Sequence, residues 1–151
     1  MRLCLFQPDI PQNTGAAIRL TAGLGVPLEI IEPCGFPLDD ARLKRVAMDY
    51  GNMGEINRHV SWEAFLDWKS AQSPSSRLIL LTTKGSVPYH RFDYRNGDLL
   101  IAGRESSGVP DFVHQAADAR VIVPIKTRSF NVIVASGIVL SEALRQHNYK
   151  P

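Results

Sequence analysis

The stretch Arg120–His147, RVIVPIKTRSFNVIVASGIVLSEALRQH, decides how the rest of the chain is read. Val121-Ile122-Val123 is a short apolar strand, closed by Pro124, which has no N–H to give to a ladder. Lys126-Thr127-Arg128-Ser129 is a polar loop, and the apolar run that follows is long enough for a four-turn helix. Strand, loop and helix in this order leave backbone donors and acceptors at the strand end and helix start, where a small molecule can be held. An ordinary βα unit carries the same pattern, so the neighbouring segments must separate the two readings.

Working outward, Leu99-Leu100-Ile101-Ala102 reads as a strand stopped at Gly103, and Pro110 suits the first turn of a helix through Ala117. Arg77–Thr83 (RLILLTT) is another buried strand, ended by Lys84-Gly85. At the start, Leu3-Cys4-Leu5-Phe6 is a continuous apolar run of the kind buried on both faces of a parallel sheet. Pro8 and Pro11 break it. Asn13 and Thr14 are good N-caps for a helix carrying Ala16, Ala17, Ile18, Leu20, Ala22 and Leu24, and Gly25 stops it. Leu28–Ile31 follows as a strand, so this segment is a right-handed parallel βαβ unit. Asp39 and Asp40 can cap a short helix with Arg42, Lys44 and Arg45, and a turn from Gly51 to Gly54 leads to a strand over Ile56–Val60. Ser61 is the expected N-cap of a helix over Trp62–Trp68, and Ser70–Ser76 reads as a loop. With no repeat, linker or low-complexity segment, the chain reads as one α/β domain over 1–151, a mostly parallel sheet flanked by helices.

A chain of 151 residues with 44% hydrophobic and 21% charged residues has enough apolar surface to build a core and is not disordered. Its apolar runs fall far short of the roughly 18 residues a membrane helix needs, and MRLCLFQPDIP has no signal-peptide pattern. A cytoplasmic protein without membrane contact is the expectation. The two cysteines, Cys4 and Cys34, and the scattered His59, His90, His114 and His147 favour neither a disulfide nor a metal site. A net charge of +2 means that any nucleic-acid partner must be met by local basic clusters.

Three candidate ligand loops fall where strands end: Leu81–Gly85, Ala102–Pro110, and Val123-Pro124 with Arg128-Ser129-Phe130-Asn131. Gly103 and Gly108 allow close backbone approach, or are plain turn glycines. Glu105 is either a site carboxylate or a solvated loop charge. Neither a P-loop nor a G-x-G-x-x-G fingerprint is present, which disfavours nucleoside-triphosphate and dinucleotide chemistry. Arg19 sits in an otherwise packing helix segment, as a functional cation or as a side chain that snorkels from the core edge. These residues taken singly name no reaction.

Together they resemble the SPOUT superfamily of RNA methyltransferases. The resemblance rests on Ile10-Pro11-Gln12-Asn13-Thr14-Gly15 with Arg19, on Gly103-Arg104-Glu105-Ser106-Ser107-Gly108-Val109-Pro110, and on Val123-Pro124 with Arg128-Ser129-Phe130-Asn131. Within that superfamily, Ile30-Ile31-Glu32-Pro33-Cys34-Gly35-Phe36, Asp39-Asp40, Arg42-Leu43-Lys44-Arg45, Asp49-Tyr50 and Leu81–Gly85 look most like the enzymes that 2′-O-methylate the wobble nucleotide of tRNA-Leu species. Ile133 and Ser141 depart from residues common in relatives.

The resemblance implies a SPOUT fold with a C-terminal trefoil knot, a homodimer, no accessory RNA-binding domain, and the tRNA anticodon stem-loop as partner. It implies S-adenosyl-L-methionine as methyl donor, S-adenosyl-L-homocysteine as product, and no metal. It places the cofactor against Leu81, Thr82, Gly103, Val123 and Ser129. It makes Arg19 the catalytic residue, with Asn13, Glu105 and Asn131 in the same site. RNA is expected at Arg42, Arg45, Lys84 and Arg128, with Lys44, Arg58 and Lys126 nearby. Val109, Phe112 and Val139 are candidates either for the dimer contact or for the core.

Overall fold

The computed structural model of the protein describes residues 1–38, 55–126 and 128–147. The N-terminal half contains β1 (Arg2–Phe6), α1 (Pro11–Leu24), β2 (Leu28–Ile31), β3 (Ile56–His59) and α2 (Trp62–Gln72). After it come β4 (Leu78–Leu81), β5 (Val87–Pro88), β6 (Leu99–Ala102), α3 (Asp111–Ala116), β7 (Ala119–Ile122) and α4 (Val132–Gln146). The strands form one seven-stranded sheet in the order β3-β2-β1-β6-β4-β7-β5, and every adjacent pair is parallel. The α/β class and the parallel sheet are therefore borne out. The short helix expected at Asp39–Arg45 lies outside the described residues.

Strand alternation deals side chains to two cores. Leu3, Leu5, Leu28, Ile30, Ile79, Leu100, Ala102 and Val121 face α1 and α4, where Ala17, Ile18, Val139, Leu140 and Ala143 meet them. Cys4, Phe6, Ile31, Leu78, Leu80, Leu99 and Ile101 face the other way, onto Trp62 and Phe65 of α2 and Val113 of α3. Burial on both faces is why these strands are unbroken apolar runs. Glu29 is the exception, a fully buried carboxylate on the α2 side. Arg2 and His59 both lie 2.7 Å from it and Asn57 donates at 3.1 Å, so its charge is matched rather than orphaned.

α1 begins earlier than the caps suggested. Pro11 is its first residue and Ile10 its extended N-cap; proline suits that position, where its missing N–H would be unpaired anyway. Asn13 therefore lies inside the first turn, its N–H bonded to the Ile10 carbonyl at 3.1 Å, and its side chain is released for other work. Gly25 ends the helix at φ 59, its N–H shared by the carbonyls of Ala22 and Thr21. Ser61 caps α2 as read, accepting from the Ala64 N–H at 3.2 Å, worth about 1 kcal/mol. That helix runs on to Gln72, beyond the loop start expected at Ser70.

Two differences bear on function. β4 is shorter than the apolar run that marks it, although the Arg77 carbonyl still accepts from the Leu99 N–H at 2.9 Å and the Thr82 N–H still donates to the Val121 carbonyl at 3.0 Å. β5 was not legible, because two residues in a polar stretch carry no pattern. Among the described residues it pairs only with β7, so the chain from β4 crosses β7 to reach the sheet edge. Gly85 lies at that crossing. A methyl group there would stand 2.6 Å from the Val121 carbonyl carbon and 2.7 Å from its oxygen.

Candidate functional site

A cavity of about 520 Å³ opens at the C-terminal ends of β4, β6 and β7, the position where open parallel sheets bind ligands. Leu81, Val109, Ile122, Val123, Ile125 and Phe130 give it an apolar side. Its floor comes close at Gly103, where a Cβ would lie 2.8 Å from the Gly108 carbonyl carbon and 2.9 Å from Val109 Cγ1. Gly103 is therefore a packing glycine that keeps the loop after β6 folded back on itself. The bridge between Arg104 and Gly108 closes the same loop, with their backbone groups bonded at 3.0 and 2.9 Å.

The polar side is a continuous chain of hydrogen bonds joining the segment after β1, the loop after β6 and the start of α4. Asp9, just after β1, accepts from the Glu105 N–H at 3.2 Å and from the Ser106 hydroxyl. In return the Asp9 N–H donates to Glu105 Oε2 at 3.0 Å. Asn13 Nδ2 donates to Glu105 Oε1 at 2.9 Å, and Asn13 Oδ1 accepts from Asn131 Nδ2 at 2.9 Å. Asn131 then caps α4, its Oδ1 accepting from the N–H groups of Ile133 and Val134 at 2.9 and 3.3 Å. Both amide orientations follow from this order, since each must present the group that its neighbour lacks.

The clamp holds charge as well as shape. The Asp9 carboxyl is kept down at about 2 by hydrogen bonding with the Glu105 side chain, the Ser106 hydroxyl and the N–H groups of Glu105 and Ser106. Burial pushes the other way without winning.

Of the residues singled out from sequence, Leu81, Thr82, Gly103, Val123, Ser129, Asn13, Glu105, Asn131 and Arg128 all line the one cavity. Arg19 does not: it is exposed on α1, outside the cavity wall. Lys84 is also exposed and outside the wall. Arg58 pairs with Glu32 at 3.0 Å on the surface. Arg42, Lys44 and Arg45 lie outside the described residues. Val139 is fully buried and belongs to the core, whereas Phe112 is half exposed against Phe6 and Trp62. Asp9 and the wall residues Arg104 and Ile125 were not singled out. The signal for Asp9 was available, since it follows a strand end as the other site residues do, but Pro8 and Pro11 drew the reading to a simple break.

Comparison with known proteins locates this architecture. Residues 1–141 match the model of the SpoU rRNA Methylase family. The chain is 52% identical over 146 residues to the tRNA (cytidine(34)-2'-O)-methyltransferase of Beijerinckia indica, covering 95% of this chain and 90% of that protein. A solved structure described as giving insight into 2-OH methylation of C/U34 on tRNA superposes with a TM-score of 0.86 at 36% identity, over 97% of this chain and 95% of the other. An AdoMet-bound rRNA methyltransferase from Sinorhizobium meliloti superposes with a TM-score of 0.82 at 25% identity, over 99% of this chain and 57% of that one.

Proposed function

Because this chain belongs to the SpoU rRNA Methylase family, we propose that it transfers a methyl group from S-adenosylmethionine to the ribose 2′-hydroxyl of nucleotide 34 in tRNA. The observation that carries this reading is the near-full-length likeness to a cytidine-34 enzyme, joined to a cavity whose walls hold every expected cofactor residue. Cytidine or a modified uridine at the wobble position of tRNA-Leu is the substrate expected from the closer motif match.

The site fits the donor. Its volume lies within the range of small-molecule sites, and an apolar side with a few fixed polar groups suits a flat adenosine. Leu81, Val123 and the tight turn at Gly103 hold the base, with Thr82 and Ser129 offering polar contacts at its edges. Bound there, S-adenosylmethionine supplies a methyl group already activated by its sulfonium. The protein would then fix the ribose oxygen in line with that methyl, S-adenosylhomocysteine leaving as the C–S bond breaks, and relieve the negative charge that grows as the hydroxyl proton passes to water. Arg19 serves the second task as a permanently protonated guanidinium, and Asn13, Glu105 and Asn131 hold the loops in register.

Arg19 lies outside the cavity of its own chain, which suits a site completed in a homodimer. A shallow hollow between α1, α4 and Tyr89, apolar at Leu20, Leu24, Val134 and Ile138 and charged at Glu142 and Arg145, offers a face such a dimer could cover. Arg128 at the cavity mouth and Lys84 beside it, together with Arg42 and Arg45, meet the anticodon stem-loop. The crossing of the β4–β5 connection over β7 supports a knotted C-terminal segment in a single domain.

The test is transfer of labelled methyl from S-adenosylmethionine to tRNA lacking the modification, followed by mapping. Label on the ribose of nucleotide 34 is the expected result. Label at another nucleotide, or none, overturns the assignment.

A further inference from the structure

Arg104 carries a charge for which the described residues provide no counter-ion. Its guanidinium donates from Nη2 to Oε1 of Gln7, a neutral partner, and Nε is buried without any partner. Among the described residues no carboxylate pairs with it, although Glu105 is its neighbour in sequence. Glu105 is committed elsewhere, to the Asp9 N–H and Asn13 Nδ2. An unmatched guanidinium in a cavity wall is costly unless an anion arrives.

The surroundings aim this charge. Gln7 sits at φ 47, a left-handed conformation that a non-glycine residue rarely adopts. Both ends of its side chain are used, Oε1 by Arg104 and Nε2 by the Glu32 carbonyl at 3.4 Å. Its N–H is tied to the Ile31 carbonyl at 2.8 Å. The strain therefore sets a bracket across the ends of β1 and β2 that holds Arg104 on that side of the cavity. The apolar side, with Leu81 and Val123, lies over β4 and β7, on the far side of β6.

We propose that Arg104 binds a phosphate of the RNA backbone beside the reacting nucleotide, with Gln7 as its positioning residue. This rests on the methyltransferase reading above. A phosphodiester matches the guanidinium in charge and in its ability to accept from two N–H groups at once. The cofactor's adenosine fits the opposite, apolar side and its sulfonium gains nothing from a neighbouring cation, while its carboxylate is the competing anion that the cofactor titration below separates from RNA. RNA entering over β1 and β6 would bring a phosphate to the accessible part of the half-buried Arg104 side chain.

The experiment compares the parent with Arg104→Gln, Arg104→Lys and Gln7→Ala, each first checked by thermal melting. Calorimetry gives S-adenosylmethionine affinity, and titration with unmodified tRNA at several salt concentrations gives RNA affinity and its salt slope. Arg104→Gln is expected to bind tRNA about tenfold more weakly, with a salt slope lower by roughly 0.7–0.9, at unchanged cofactor affinity. Arg104→Lys should restore the slope and only part of the affinity, because lysine keeps the charge without the planar fork. Gln7→Ala should weaken tRNA binding while leaving the slope intact. Unchanged tRNA affinity and slope in Arg104→Gln overturns the proposal, as does a loss confined to cofactor binding. A parent that binds tRNA in this way but transfers no methyl refutes the methyltransferase reading alone, so the two failures are distinguishable.

Discussion

Replacing Gly85 by alanine tests the crossing of the β4–β5 connection over β7. The new Cβ would meet the Val121 carbonyl carbon at 2.6 Å, its oxygen at 2.7 Å and the Ile122 nitrogen at 2.9 Å. Against an ordinary 3.4 Å contact the shortfall is about 0.8 Å. All three atoms belong to the backbone of a strand paired on both sides, so no side chain can rotate away. The connection must lift, which strains the 3.0 Å bond from the Thr82 N–H to the Val121 carbonyl. Overpacking costs about 1–3 kcal/mol and one lost backbone bond about 1, giving roughly 3 kcal/mol. The smaller chain entropy of alanine in the unfolded state returns less than about 1 kcal/mol.

In urea, with a slope of about 2 kcal/mol per molar, the unfolding midpoint should fall by roughly 1.5 M. Cofactor affinity should fall with it, since Leu81, Thr82 and Val123 are carried by the displaced segments. Gly23→Ala is the control. It lies in α1 with nothing within 4 Å of a new methyl, so its midpoint should rise, by about 0.5–1 kcal/mol in stability. A Gly85→Ala midpoint within about 0.3 M of the parent would refute the close approach.

Two further predictions concern the site. The folded Asp9 carboxyl, at about 2, lies below its ordinary 3.8, so its contribution to stability is fully present above that ordinary value and is lost as pH falls toward 2. Asp9→Asn should flatten the acid limb of the urea midpoint against pH in that window, and an unaltered limb would exclude the clamp as its source. Arg19→Ala should lose turnover by about a hundredfold or more while S-adenosylmethionine affinity, read by calorimetry, stays within about twofold; near-parental turnover would remove Arg19 from the mechanism.

The parts of the fold that were legible are those where one force dominates. Leu3–Phe6 and Leu99–Ala102 are buried on both faces, so the apolar run alone marks them. Gly25 and Ser61 act as stop and cap through local geometry that any sequence shares. Asn13 was misplaced because capping preference is a local tendency, whereas the hydrogen bonds that hold it come from Glu105 and Asn131, 92 and 118 residues away. β5 exists only because β7 offers it an edge, and the strand order itself has no sequence pattern to announce it. The site was legible as loops because strand ends announce them, and the roles of their residues came through resemblance, while the hydrogen bonds between loops belong to the folded chain.

The position of β7 between β4 and β5 has a consequence for synthesis on the ribosome. β5 has no neighbour in the sheet until residues 121 and 122 have been made, so the edge must wait for a strand that follows it by some thirty residues. The cavity waits as well, since Ile122–Ala135 form much of its wall. A nascent chain halted after β6 would own most of the sheet yet lack those cavity walls. The cavity is thus closed only by the last strand and the first turn of the last helix to be made.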